Sequence, residues 1–309
     1  MRGASDFRLL MIGAMYENGG NTTHRYLDGH PQLFVYPFES QPGTRYVHDM
    51  LASMFPVKYR WPVFALESSP YQDYKAIIDE EAKVRARTPH VSKFREMPFD
   101  FSDDERCRIY IDYVGESGRS TGDNMAAFFR ATFDAWRDYH RTGREVVYVG
   151  YSPIITVDAD KILRDLPLAH VLHVVRNPWS AFADTLKRPV PMSLENYLLG
   201  WTLNQYYALL FRDLYPGRVH IVRTEDVMRD STATLGPVCE ALGLEVADSL
   251  AGVSWNGCRL KEVYPWGTIR TPTPEANLAT AKELNAAQVE EIRVRARPYL
   301  DAFDYNGLI

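Results

Sequence analysis

Four short apolar runs punctuate the chain, within "FRLLMIGAM", "EVVYVGYS", "AHVLHVVRNP" and "RVHIVRT", each followed by polar or glycine-bearing residues. Runs this short and continuously apolar predict buried parallel strands, because a strand covered on both faces has no polar side to show. Between them the period changes. Over 121–140, Met125, Phe128, Phe129, Phe133 and Trp136 recur at three and four residues. That spacing predicts an amphipathic helix, capped by Ser120 or Asp123. Further helices are expected over 22–28, 158–166, 179–186, 194–214, 231–242 and 286–302. Strand and helix in alternation give an α/β fold, a central parallel sheet flanked by helices.

The stretch 41–119 departs from this alternation. It is rich in Pro and Tyr and carries mixed charge in "IIDEEAKVRAR", so it reads as a partly helical insertion over one sheet edge of a single domain spanning 1–309. In open α/β sheets the ligand sits beyond the carboxyl ends of the strands. The insertion is therefore either a substrate wall or a peripheral cap. After Trp255 the text turns irregular in "NGCRLKEVYPWGTIRTPTPEAN", and 255–285 reads as a C-terminal lid or as a linker to the last helix.

Two segments carry candidate chemistry. The first strand runs into "GAMYENGGNTTHRYLDGHPQL", where glycines and hydroxyl residues open a helix. Converging backbone N–H groups, the helix dipole and the donors Thr22 and Thr23 suit a phosphate; the alternative is a plain turn with Thr22 as N-cap. "GGNTT" lacks the Gly-Lys-Ser/Thr ending of a nucleotide-triphosphate loop. The second segment is "VVRNPWSAFADTLKR", which sets Arg176 at the end of a strand. Its planar fork suits an anion, with Ser180, Asp184 and Thr185 in the following turns; the alternative is an ion pair with Asp184 or Glu225.

Composition narrows the partner. With 35 Lys+Arg against 40 Asp+Glu the formal charge is −5, which excludes nucleic-acid binding through bulk charge and leaves a local anion pocket. Three cysteines without metal-type spacing suit a reducing compartment, by default the cytoplasm. No run approaches the ~20 apolar residues of a membrane span. No metal cluster is expected.

Taken in order, these segments resemble the sulfotransferase family that uses 3′-phosphoadenosine 5′-phosphosulfate. "GGNTTHRYLDGHPQL" is similar to its Arg/Lys-Ser-Gly-Thr-Thr loop and the following Asp-x-His-Pro, and "HVVRNPWSAFADT" to its strand ending in Arg-Asp/Asn-Pro. "GYSPIITVDADKILRDLP" resembles its Lys-Thr-Pro stretch, and "IVRTEDVMRDSTATLGPVCEALGLE" its Glu-Asp-Leu segment. The resemblance implies a P-loop-like fold and sulfuryl transfer to a hydroxyl of a small-molecule, carbohydrate or peptide acceptor, without a metal.

The resemblance implies that Gly19, Gly20, Asn21, Thr22 and Thr23 hold the 5′-phosphosulfate. It gives Arg176, Ser180 and Thr185 to the 3′-phosphate, and Arg270, with Thr271 and Thr273, to the closing loop. Glu39 is the implied base, and His24 stacks on adenine or touches the phosphosulfate. Tyr16, Tyr36, Phe38, Trp61, Tyr71 and Trp266 are candidates for the acceptor pocket. Three positions depart from the pattern: Gly19 stands where the loop cation belongs, Tyr151 replaces the Lys of Lys-Thr-Pro, and Asp184 replaces a Ser eight residues after Arg176. His24, Arg25, Lys187 and Arg270 are candidates for the missing cation. Two other readings are a nucleotide-binding relative with impaired catalysis and a kinase-like phosphoryl transferase, which the absent Walker lysine disfavours.

Overall fold

The computed structural model describes residues 3–92, 94–261 and 273–309. Five strands, β1 (Leu9–Ala14), β2 (Leu33–Val35), β3 (Val147–Tyr151), β4 (His170–Val175) and β5 (Val219–Arg223), form one sheet in the order β2-β3-β1-β4-β5. All pairings are parallel. Every residue of β1 is buried, as expected for the central strand of a sheet covered on both faces. β2 went unseen in the sequence because three residues between "HPQ" and "YPFES" are too few to carry a period.

The helices are α1 (Gly20–Leu27), α2 (Pro70–Ala76), α3 (Glu80–Arg87), α4 (Asp103–Ser117), α5 (Thr121–Ala135), α6 (Ala159–Asp165), α7 (Pro178–Thr185), α8 (Leu194–Leu214), α9 (Thr224–Arg229), α10 (Ser231–Ala241), α11 (Pro274–Ala279) and α12 (Ala286–Ala302). Ser120 and Asp123 cap α5 together, each side chain bonding the other residue's backbone N–H. That helix stops at Ala135 rather than His140, because Trp136 leaves helical geometry and bridges to Phe101. Ser254–Trp255 and Cys258–Arg259 form a separate two-stranded hairpin, joined through Asn256 and Gly257, the favoured pair for a two-residue turn.

The insertion is fastened to the sheet by buried charge. The guanidinium of Arg60, fully buried, donates to both carboxylate oxygens of Asp158 (2.7 and 2.8 Å) and of Asp49 (3.1 and 2.8 Å). Arg106, also fully buried, donates to Asp79 (2.6 Å), Asp103 (3.0 Å) and the Tyr74 hydroxyl (2.6 Å), while the Tyr36 hydroxyl donates to Asp79 (2.9 Å). The mixed charge of "IIDEEAKVRAR" is thus partly internal. Tyr36, Phe38 and Trp61 are core residues rather than pocket walls; Tyr71 is exposed, and Trp266 lies outside the described residues.

Candidate active site

The chain steps from β1 to β2 on one side and from β3 across β1 to β4 on the other, so a crevice opens at the carboxyl end of β1. The β1–α1 turn lies there. Gly19 is the N-cap of α1 with φ +82°, a left-handed conformation that L side chains rarely adopt. A Cβ on Gly19 would fall 2.5 Å from Thr224 Oγ1 and 2.6 Å from its Cγ2. At Gly20 a Cβ would fall 2.5 Å from the Tyr151 ring. The missing loop cation is therefore built into the packing. Thr23 is fully buried, and among the described residues its Oγ1 has no hydrogen-bond partner.

Asn18, which no motif marked, organises this turn. Its Oδ1 accepts from the Arg176 backbone N–H (3.1 Å) and the Trp201 indole (3.2 Å), and its carbonyl accepts from the Thr224 hydroxyl (2.5 Å). One residue, through its side chain and its carbonyl, so joins the ends of β1, β4 and β5.

At the end of β4, Asn177 caps α7, accepting from Ser180 N–H (2.9 Å), and Pro178 opens the helix where its missing N–H costs nothing. Arg176 is fully buried and pairs with Asp184 at 2.7 Å. Its other partners are the Glu17 carbonyl (2.8 Å), the Asn277 side chain and carbonyl, and the Thr280 hydroxyl. Asn277 also donates to Glu225 (3.1 Å), which accepts from the Asn177 amide (2.7 Å) and the Tyr305 hydroxyl (2.8 Å). Ser180 is buried with its hydroxyl unpartnered among the described residues, whereas the Thr185 hydroxyl donates within α7 to the Phe182 carbonyl (2.7 Å). Thr273 caps α11; Arg270 and Thr271 lie outside the described residues.

Glu39 follows β2 at the same edge, held by the next residue, whose N–H donates to the Tyr151 carbonyl (2.7 Å). Its charge acts on the Tyr151 and Tyr16 hydroxyls. Burial pushes the Tyr16 hydroxyl up to about 12, with Arg188 opposing and Glu39 adding to the rise. Tyr16 lines a cavity of about 550 Å³, with Met15, Phe55, Arg188, Met192 and Leu199.

Three of the candidate replacement cations are engaged within the protein. His24 is buried, with its ring toward Tyr151 and its Nδ1 bonded to Arg25 (2.9 Å). Burial first, then the Arg25 charge, holds it well below the usual histidine value, so it stays neutral. Arg25 is buried over Trp255 and donates to the Tyr36 carbonyl (3.1 Å). Lys187 is held by Asp184 (3.1 Å) and Glu283 (2.9 Å). Besides Arg176, Arg188, which sequence reading missed, stands beside the turn: its guanidinium lies 4.7 Å from the Tyr16 ring centre and 4.0 Å from Glu17.

The model of the sulfotransferase family matches residues 18–248, from Asn18 of the turn to past the end of α10. The chain belongs to the sulfotransferase family. None of the curated proteins matches it significantly. Among solved structures it is similar to the sulfotransferase domain of the Synechococcus PCC 7002 olefin synthase, with 15% identity, 96% of this chain and 95% of that one covered, and a TM-score of 0.49. It is also similar to the sulfotransferase domain of the curacin biosynthetic pathway (12%, 95% and 98%, 0.45) and to a sulfotransferase from Mycobacterium avium (12%, 97% and 77%, 0.47). The fold is a central parallel sheet flanked by helices. Among the described residues of this sulfotransferase, no helix is long and apolar enough to cross a membrane, and no group of three or more His, Cys, Asp or Glu is placed to hold a metal.

Proposed function

We propose that this sulfotransferase moves a sulfuryl group from a phosphosulfate donor such as 3′-phosphoadenosine 5′-phosphosulfate to a hydroxyl presented from the cavity beside Tyr16. The carrying observation is the β1–α1 turn: two glycines whose Cβ positions are blocked and, behind them, the buried Thr23 hydroxyl with no hydrogen-bond partner among the described residues. Backbone N–H groups and that hydroxyl suit phosphosulfate oxygens, and the N-terminus of α1 favours the charge left on a departing 5′-phosphate. Glu39 takes the acceptor's proton as the acceptor oxygen bonds to sulfur. The insertion supplies the acceptor wall through Phe55, and the apolar lining with Tyr16 suits an aromatic or lipid-like alcohol. Three free cysteines support a reducing, cytoplasmic setting.

The test is release of adenosine 3′,5′-bisphosphate from the sulfated donor in the presence of a panel of phenols, sugars and tyrosine peptides. Glu39→Gln is expected to lower kcat about 100-fold or more, the scale of a lost general base; turnover at the wild-type rate would remove Glu39 from that role. Arg188 supplies the cation missing at Gly19, and its side chain is 34% exposed, so Arg188→Ala should cost little stability. Its kcat should fall about 100-fold, as when one stabiliser of transition-state charge is removed. An unchanged kcat would assign Arg188 to the surface.

A further inference from the structure

The resemblance that points to a sulfotransferase also implies that Arg176 reads a 3′-phosphate, and the surroundings of Arg176 do not fit that group. Its guanidinium is fully buried and spends its donors on protein: an ion pair with Asp184 at 2.7 Å and hydrogen bonds to Glu17, Asn277 and Thr280. A guanidinium has five N–H donors; here four hydrogen bonds go to protein, and the contact with Asp184 Oδ2 is an ion pair without hydrogen-bond geometry. Where the family carries a serine that can donate, Asp184 presents a carboxylate, itself fully buried and held on its other side by Lys187.

We infer that Arg176 and Asp184 close the subsite a 3′-phosphate would need, so that this sulfotransferase binds its donor through the 5′-phosphosulfate without reading a 3′-phosphate. A second phosphate would bring up to two negative charges beside a pair whose net charge is already zero. Turning Arg176 toward it would leave Asp184 buried with only Lys187, the kind of unpaired buried charge that is strongly destabilising. The buried Ser180 hydroxyl is one neutral donor and does not offset a carboxylate. Asp184 is thus a specificity-determining residue. It selects for a nucleotide with a single 5′-linked anion, chemically an adenosine 5′-phosphosulfate rather than its 3′-phosphorylated form.

This inference rests on the donor reading of the β1–α1 turn, and calorimetry on the full chain separates the two. Adenosine 5′-phosphate and adenosine 3′,5′-bisphosphate are titrated in parallel. A bisphosphate bound more weakly than adenosine 5′-phosphate, or less than tenfold more tightly, supports the inference, and one bound ten or more times more tightly overturns it. Binding of neither nucleotide overturns it together with the donor reading. Asp184→Asn keeps the side-chain shape while removing the charge and adding a donor. It is expected to raise the preference for the bisphosphate at least tenfold over wild type. A folded Asp184→Asn with an unchanged preference would refute the part given to Asp184; should that variant not fold, the wild-type ratio still decides.

Discussion

Gly19→Lys, the substitution that restores the family's loop cation, is expected to abolish activity and to destabilise the protein rather than to improve it. Two costs add at this position. Gly19 sits at φ +82°, where a side chain costs about 1–2 kcal/mol. A Cβ there meets Thr224, whose Cβ lies at 3.1 Å and whose hydroxyl is tied to the Asn18 carbonyl at 2.5 Å. Thr224 cannot turn aside without breaking the bond that holds the turn, and overpacking of this kind costs about 1–3 kcal/mol more. The sum, about 2–5 kcal/mol, corresponds to a fall in Tm of roughly 3–8 °C for a chain of this size. Calorimetric melting checks it. Gly19→Ala should show most of the loss, because both costs arise at Cβ, and adding Thr224→Ala to Gly19→Lys should recover the packing part alone. A Gly19→Lys protein as stable as wild type and faster in sulfuryl transfer would mean the turn re-forms around a lysine, and would return the missing cation to Gly19.

The reason this could not be read from the sequence is instructive. The glycine pair and the two threonines were visible as a turn opening a helix, and the absent cation was visible as a gap in the pattern. What fills the gap was not visible, because Thr224 lies 206 residues from Asn18, whose carbonyl it holds. The same distance effect hid Asn277, which takes Arg176 donors from 101 residues away. Regular elements behaved differently. α8 and α12 begin and end where the apolar spacing placed them, at Leu194–Leu214 and Ala286–Ala302, since local period and a capping Ser193 or Asn285 decide those bounds. Arg176 lay between two readings. Its strand-end position fitted both an anion and a carboxylate partner, and the choice depended on how α7 turns Asp184 back onto it.

Loss of Arg106 should be the most damaging single change outside the site. Arg106 is the cation common to Asp79 and Asp103, with Asp79 fully shielded from solvent and Asp103 nearly so. Arg106→Met fills the stem and removes the charge, leaving two buried carboxylates and the Tyr36 and Tyr74 hydroxyls without their common partner. Removing one side of a buried pair costs about 3–5 kcal/mol, enough to release the insertion from the sheet and with it the Phe55 wall of the cavity. The pH dependence gives the sharper reading. Burial pushes the Asp103 carboxyl up, but Arg106, the Tyr74 hydroxyl and Lys83 outweigh it and hold it down at about 2. A carboxyl below its ordinary value of 3.8 adds stability above pH 3.8, and that stability is lost as pH falls through about 2. Without Arg106 the push from burial is opposed by Lys83, the Tyr74 hydroxyl and Arg87, which also pairs with Asp103. The Asp103 carboxyl then rises, and lowering the pH toward 4 protonates it with a gain in stability. Wild type should lose part of its urea midpoint from pH 6 to pH 4, because burial holds His24, His170 and His173 below the usual histidine value and the unfolded chain takes up their protons first. Arg106→Met should fall by less over the same interval. A variant whose midpoint falls in parallel with wild type on acidification would show that the two carboxylates find solvent once Arg106 is gone, and that the network does not fasten the insertion.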